Sequence, residues 1–246
     1  MIPVTEYKGR NIAILGLGRT GLAAARALKA GGAKVCAWDE HVPARDKASA
    51  QGLTLTDFED FDWAGCDRLI LSPGIPYRFP APHRYVTAAQ KAGVPVIGDV
   101  ELFAAWLNGL PDDARPRLVG ITGTNGKSTT TALIGHILTK SGLSIALGGN
   151  IGTGVLDLPV LGAGGVYVLE LSSYQLDLTS GLHCDISLWL NLSPDHLDRH
   201  GGFEGYKRAK QRIFQNQTEE DVAILGVDDV HMRSLADQMA HQSGPE

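Results

Sequence analysis

The run Thr122-Gly123-Thr124-Asn125-Gly126-Lys127-Ser128-Thr129 combines two glycines, a lysine and several hydroxyl side chains directly after an apolar stretch. Such a loop turns successive backbone N–H groups inward as a nest for anionic oxygens. Its lysine adds a point charge, and the hydroxyl that follows can ligate magnesium. The chemistry is triphosphate binding, and Gly123, Thr124, Asn125, Gly126, Lys127, Ser128 and Thr129 are the expected contacts for a nucleoside triphosphate. Ile121 stands where the strict G-x-x-x-x-G-K-[ST] spacing has its first glycine, which here comes later, at Gly123.

A triphosphate loop needs a second magnesium ligand and something to act on the terminal phosphate. Glu170 follows the apolar residues 166–169, where the end of a strand would face its carboxylate to the metal. The segment Asn191-Leu192-Ser193-Pro194-Asp195-His196-Leu197-Asp198-Arg199-His200 brings two carboxylates, two imidazoles and a guanidinium into one loop. Loops at strand ends carry chemistry. One or two of these groups are expected to touch substrate or metal, with Arg199 and Asp198 pairing to hold the loop. Lys210, in Tyr206-Lys207-Arg208-Ala209-Lys210-Gln211-Arg212, reads from spacing alone as a solvated helix charge.

A second glycine loop lies nearer the N-terminus. Gly16-Leu17-Gly18-Arg19-Thr20-Gly21 matches G-x-G-x-x-G between a strand-like run and a helical one. Gly16 permits a tight turn, Gly18 lets backbone approach a diphosphate, and Gly21 allows close helix packing. The helix N-terminus then offers free N–H groups to the anion. Asp39, ending the next strand-like run, is placed to accept hydrogen bonds from a ribose. Ser72-Pro73-Gly74-Ile75-Pro76 follows a third run, at the sheet edge where ligands of such folds bind. The motif does not select its diphosphate, because NAD and a UDP-sugar fit the same cradle. An NAD-dependent oxidoreductase would leave the loop at 122–129 without a purpose.

These loops need strands that end and helices that begin around them. Strands are expected at 11–15, 34–38, 68–71 and 94–97, with helices after Gly21 and over 83–92. After a turn-rich linker at 108–116 the pattern restarts. It shows strands at 118–121, 144–147, 166–169, 186–190 and 222–225, a helix over 127–141 and an amphipathic stretch over 203–214. A final helix over 229–240 is expected to stop at Ser243-Gly244-Pro245-Glu246. Strand and helix alternating at this pitch predict α/β architecture with parallel sheets. The expected fold is a Rossmann-like domain over 1–107, then a P-loop ATPase-like α/β domain over 117–246, with nothing at its end that marks a finished domain.

Composition narrows the partners. Hydrophobic residues make up 43% and charged residues 20%, enough for a packed core. The net charge of -5 and the absence of a long basic run argue against nucleic acid. Cys36, Cys66 and Cys184 are too far apart for metal-ligand spacing and odd in number, as expected of thiols in a reducing cytoplasm. No signal peptide and no membrane span is read in the chain. A cytoplasmic monomer is expected.

Together GLGRTG at 16–21, SPGIP at 72–76, GDVELF at 98–103, TGTNGKST at 122–129, GGNIG at 148–152, ELSSYQL at 170–176 and NLSPDHLDRH at 191–200 resemble the Mur ligase family. The N-terminal motifs are similar to those of the members that add D-glutamate; a sibling ligase that adds another amino acid and a non-catalytic nucleotide-binding module are the alternatives. The resemblance implies ATP-dependent ligation of D-glutamate to UDP-N-acetylmuramoyl-L-alanine through an acyl phosphate, with magnesium as cofactor. It implies that Gly18, Arg19 and Thr20 meet the UDP phosphates, and that Asp39, Ser72, Pro73 and Gly74 face the uridine. Asn150 would lie near the reacting carboxylate, and Ser172 and Gln175 near the muramoyl end. Ser128, Glu170, His196 and a carbamylated Lys210 would hold magnesium, with Lys127, His196 and Lys210 as the catalytic set. The family's C-terminal amino-acid-binding domain has no counterpart here, so the chain is expected to be a truncated form that binds nucleotide without completing the ligation.

Overall fold

The computed structural model describes residues 1–242; the expected stop at Ser243 to Glu246 lies outside the described residues. Among these residues two parallel sheets organise the chain. In the first, β1 (Asn11–Leu15), β2 (Lys34–Trp38), β3 (Arg68–Leu71) and β4 (Val96–Ile97) lie in the order β2-β1-β3-β4. Helices α1 (Arg19–Ala30), α2 (Val42–Ala50), α3 (Arg84–Lys91) and α4 (Asp99–Asn108) accompany it. In the second, β5 (Arg117–Thr122), β6 (Ile145–Gly149), β7 (Val166–Glu170), β8 (Ile186–Trp189) and β9 (Val222–Leu225) lie in the order β6-β7-β5-β8-β9. Its helices are α5 (Lys127–Lys140), α6 (Ser173–Asp177), α7 (Leu197–His200), α8 (Phe203–Gln211) and α9 (Val230–Gln242).

The apolar runs become strands because both faces of a parallel sheet are covered by crossover elements. All five residues of β7 are buried, and only the first residue of β5 is exposed. Register then aligns the strand ends. Leu15 pairs with both Trp38 and Leu71, so Gly16, Asp39 and Ser72 leave the first sheet side by side. Ile121 pairs with Glu170, and Thr122 with Trp189, so the second glycine loop, Glu170 and the 190–200 loop leave neighbouring strands.

Four helices, α2, α4, α6 and α7, were not read from the periodicity. The GDVELF motif opens α4, where Gly98 is extended and Asp99 and Glu101 place acidic side chains in the first turn. Val100, Leu102, Phe103, Trp106 and Leu107 are then buried. The five residues of α6 are too few for a periodic signal. They are fixed instead by a capping box in which the Ser172 hydroxyl accepts from the Gln175 N–H and the Gln175 side chain accepts from the Ser172 N–H.

The segment after β6 is wedged against the first sheet's helices. Val155 and Leu156 share one apolar cluster with Ala24, Leu28 and Phe103. The Ile2 N–H donates to Leu156 O at 2.8 Å, and Arg26 pairs with Asp157 at 2.8 Å. Glu101 accepts from the N–H groups of Ser180 and Gly181 at 2.7 and 2.8 Å. Among the described residues no helix is long and apolar enough to cross a membrane.

Candidate active site

The first glycine loop lines a cavity of about 540 Å³ at the carboxyl ends of β1, β2 and β3, a volume within the usual range of ligand pockets. Gly18, Thr20, Asp39, Ser72, Pro73 and Gly74 all line it. Gly16 has φ +93°, and a Cβ on Gly21 would collide with Gly16 O, so these two glycines make the tight turn and the close helix approach. Ser72 Oγ donates to Gly16 O at 2.9 Å. Asp39 accepts from the N–H groups of Leu17 and His41 at 2.6 and 2.8 Å, so its carboxylate braces the loop as well as facing the cavity. Arg19 turns away from this cavity. Its guanidinium donates to Gly152 O at 2.6 Å and to Asn150 O at 3.3 Å, across the junction.

The second glycine loop bends at Gly126, where φ is +80°, and opens directly into α5. The first N–H groups of a helix have no partner within it, which leaves those of this turn for an anion. Lys127 Nζ folds back onto its own loop, 3.0 Å from Gly123 O and 2.8 Å from Thr124 O. Ser128 Oγ donates to Glu170 Oε2 at 2.7 Å, and Asn150 Nδ2 donates to Glu170 Oε1 at 2.7 Å. One buried carboxylate thus joins a residue expected at magnesium to one expected near the reacting carboxylate.

A cavity of about 130 Å³ sits beside this chain of bonds, with Lys127, Asn150, Ser172, Asp195, His196 and Lys210 in its wall. His196 is the only non-glycine with positive φ among the described residues, at 50°. Strained backbone of this kind collects at functional sites. Gln175 does not reach the cavity wall. It is buried behind Ser172, with its Nε2 3.5 Å from Asp99 Oδ2.

Two expectations need correction. Lys210 is not a solvated charge: only 1% of it is exposed, because α8 turns Tyr206, Ala209 and Lys210 inward. Its Nζ donates to Gly123 O at 2.7 Å and Thr122 Oγ1 at 3.3 Å. Burial, and then the neighbouring Lys127 charge, pushes its pKa down to about 7. Nor does Arg199 pair with Asp198 to hold the loop. It reaches across to Gly74 O at 3.2 Å and lies over the Tyr174 ring, so a partner distant in sequence replaces the near one.

Three participants were not singled out from the sequence. The Asn191 side chain accepts from the N–H groups of Thr124 and Asn125 at 3.2 and 2.9 Å and donates to Asn125 O at 3.1 Å, stapling the glycine loop to the end of β8. Tyr206 meets Thr124 Oγ1 at 3.2 Å through its hydroxyl. Asp99 is buried with one oxygen unpartnered, and burial pushes its pKa up to about 6. Asn191 follows a strand, which was a usable signal; Tyr206 and Asp99 depend on contacts far along the chain.

Comparison with known proteins agrees with this geometry. The model of the Mur ligase middle domain matches residues 121–244, and that of the Mur ligase MurD-like N-terminal domain matches residues 10–98. The UDP-N-acetylmuramoylalanine--D-glutamate ligase of Phenylobacterium zucineum is 57% identical over 229 residues, covering 93% of this chain and 49% of the relative. That of Caulobacter vibrioides is 55% identical over 239 residues, covering 97% and 51%. The chain spans about half the length of the curated relatives it matches. Among solved structures, the UDP-N-acetylmuramate:L-alanyl-gamma-D-glutamyl-meso-diaminopimelate ligase of Neisseria meningitides has a TM-score of 0.59 at 17% identity. The match covers 94% of this chain and 75% of that one, a likeness of fold. With a family model over half its length and both glycine loops set at aligned strand ends, the chain belongs to the Mur ligase family.

Proposed function

We propose that this chain carries the UDP-sugar and ATP sites of a ligase that joins D-glutamate to UDP-N-acetylmuramoyl-L-alanine in peptidoglycan synthesis. Residues 1–107 would hold the UDP-sugar and residues 117–246 the ATP, with 108–116 between them. The observation that carries this reading is the hydrogen-bonded chain Ser128–Glu170–Asn150 beside a cavity that also collects Lys127, His196 and Lys210. Its substrates, ATP and a UDP-sugar, make the cytoplasm the compartment we assign to it.

In this reading Gly18 and Thr20 face the diphosphate, and Asp39 with the Ser72-Pro73-Gly74 turn faces the uridine. The loop from Gly123 to Thr129 cradles ATP. Ser128 and Glu170 offer oxygen donors of the kind magnesium takes when phosphates complete its shell. Their 2.7 Å contact makes them a fitting pair, with His196 and a carbamylated Lys210 as further ligands. When bound, magnesium would neutralise charge on the transferring phosphoryl oxygens.

The L-alanyl carboxylate attacks the γ-phosphorus of ATP, the bond to ADP breaks, and an acyl phosphate forms. The amine of D-glutamate then adds to the acyl carbon, loses a proton, and expels phosphate to leave the amide. Lys127 stabilises the oxygens that gain charge during transfer. Asn150 orients the attacking carboxylate, and Ser172, with Gln175 behind it, faces the muramoyl end. The test is titration calorimetry with UDP-N-acetylmuramoyl-L-alanine, with NAD run in parallel. Saturable binding of the UDP-sugar and none of NAD supports the reading; binding of NAD alone, or of neither, contradicts it.

A further inference from the structure

Arg19 sits in the first glycine loop yet makes its hydrogen bonds in the second unit. Its two donors end on Gly152 O and Asn150 O, 133 and 131 residues away. The loop they grasp is held at its base by the Gly149 N–H on Thr153 O at 2.9 Å and the Asn150 N–H on Glu170 O at 2.8 Å. From Asn150 the bonds continue without a gap: Asn150 Nδ2 to Glu170 Oε1, then Glu170 Oε2 to Ser128 Oγ in the second glycine loop. The neighbours of Arg19 in its own loop, Gly18 and Thr20, line the 540 Å³ cavity. One residue therefore touches the backbone geometry of both nucleotide sites.

We propose that Arg19 is a positioning residue that couples the two sites, holding the 149–153 loop so that occupancy of the UDP-sugar cavity sets the placement of Asn150 and Glu170 around ATP. A ligand that packs against the first glycine loop shifts the start of α1, and with it the guanidinium. The carbonyls it holds move with it, and so does the Asn150 side chain that reaches Glu170. This rests on the reading that the two cavities take a UDP-sugar and ATP. It differs from a role confined to the diphosphate, because its effect is read at the other site.

The experiment measures the Kd of a magnesium complex of a non-hydrolysable ATP analogue with and without saturating UDP-N-acetylmuramoyl-L-alanine. It uses the 246-residue chain, Arg19→Leu and Arg19→Lys. Coupling between sites ordinarily changes affinity about 5-fold or more. The wild type is expected to show such a ratio, Arg19→Leu to bring it to about 1, and Arg19→Lys to fall between. Amide exchange without any ligand gives a second readout, and Arg19→Leu is expected to speed exchange at Gly149 and Asn150. Arg19 is exposed, so the variants retain the core. An unchanged ratio in Arg19→Leu, unchanged exchange, or a wild type that binds both ligands without coupling overturns the inference while leaving the functional reading standing. A wild type that binds neither ligand overturns both.

Discussion

Lys127 and Lys210, from the start of one helix and the buried face of another, both donate to the carbonyl of Gly123, at 3.0 and 2.7 Å. Burial of the Lys210 ammonium, and then repulsion from Lys127 on the same oxygen, lowers its pKa from 10.5 to about 7. In the unfolded chain it keeps its ordinary value, so between about pH 7 and pH 10.5 the unfolded state binds the extra proton. That contribution makes stability rise with pH across this window and level off above it. In carbon-dioxide-free buffer, Lys210→Met is expected to remove about 2–4 kcal/mol of this pH-dependent rise. Denaturant unfolding at pH 6.5 and 10 measures it; parallel wild-type and variant profiles would count against a depressed lysine.

A lysine whose amine is neutral near physiological pH is also a nucleophile. Lys210 is expected to add to carbon dioxide, forming an N–C bond and releasing a proton, which leaves a carbamate. Carbon-13 spectra in labelled bicarbonate should show one carbamate resonance in the wild type and none in Lys210→Arg. A resonance that survives in Lys210→Arg assigns the carbamate elsewhere.

Asp99 titrates in the opposite sense for stability. Its buried carboxyl is raised from 3.8 to about 6 by desolvation, which prevails over its hydrogen bonds and the Arg19 charge. The contribution is fully present below about pH 4 and is lost as pH rises through about 6. Asp99→Asn keeps the shape without the charge. It is expected to stabilise the protein by about 2 kcal/mol at pH 7 and to change little at pH 4. Thermal melts at the two pH values decide it; equal shifts at both would remove the titration argument.

Asn191 holds the second glycine loop by three hydrogen bonds. Asn191→Leu leaves the Asn125 N–H without that acceptor, while the Thr124 N–H keeps only the backbone carbonyl of residue 191, at 3.1 Å. The expected result is a loss of about 2 kcal/mol in stability and about tenfold weaker nucleotide binding, with UDP-sugar affinity unchanged. Equal weakening of both ligands would instead point to general unfolding.

Much of this site was legible because its parts are local. Gly16, Asp39 and Ser72 each follow an apolar run, and parallel register alone brings strand ends together. The same logic set Gly126, Lys127, Ser128 and Glu170 at neighbouring strand ends, where the register puts them. What stayed hidden depends on long-range packing. No spacing rule tells that Arg19 crosses to Gly152, that Arg199 prefers Gly74 to Asp198, or that α8 turns Lys210 inward. The α6 capping box was written in Ser172 and Gln175, yet five helical residues give periodicity nothing to act on.

Two different nucleotides are expected to sit on the two glycine loops at once, and simultaneous occupancy is the measurement that decides it. Calorimetry with the magnesium complex of a non-hydrolysable ATP analogue would be run on protein already saturated with UDP-N-acetylmuramoyl-L-alanine, then in the reverse order. One equivalent of each ligand is expected to bind in either order, with nucleotide binding alone lost in Lys127→Ala. Mutual displacement of the two ligands, or loss of both in Lys127→Ala, would contradict it.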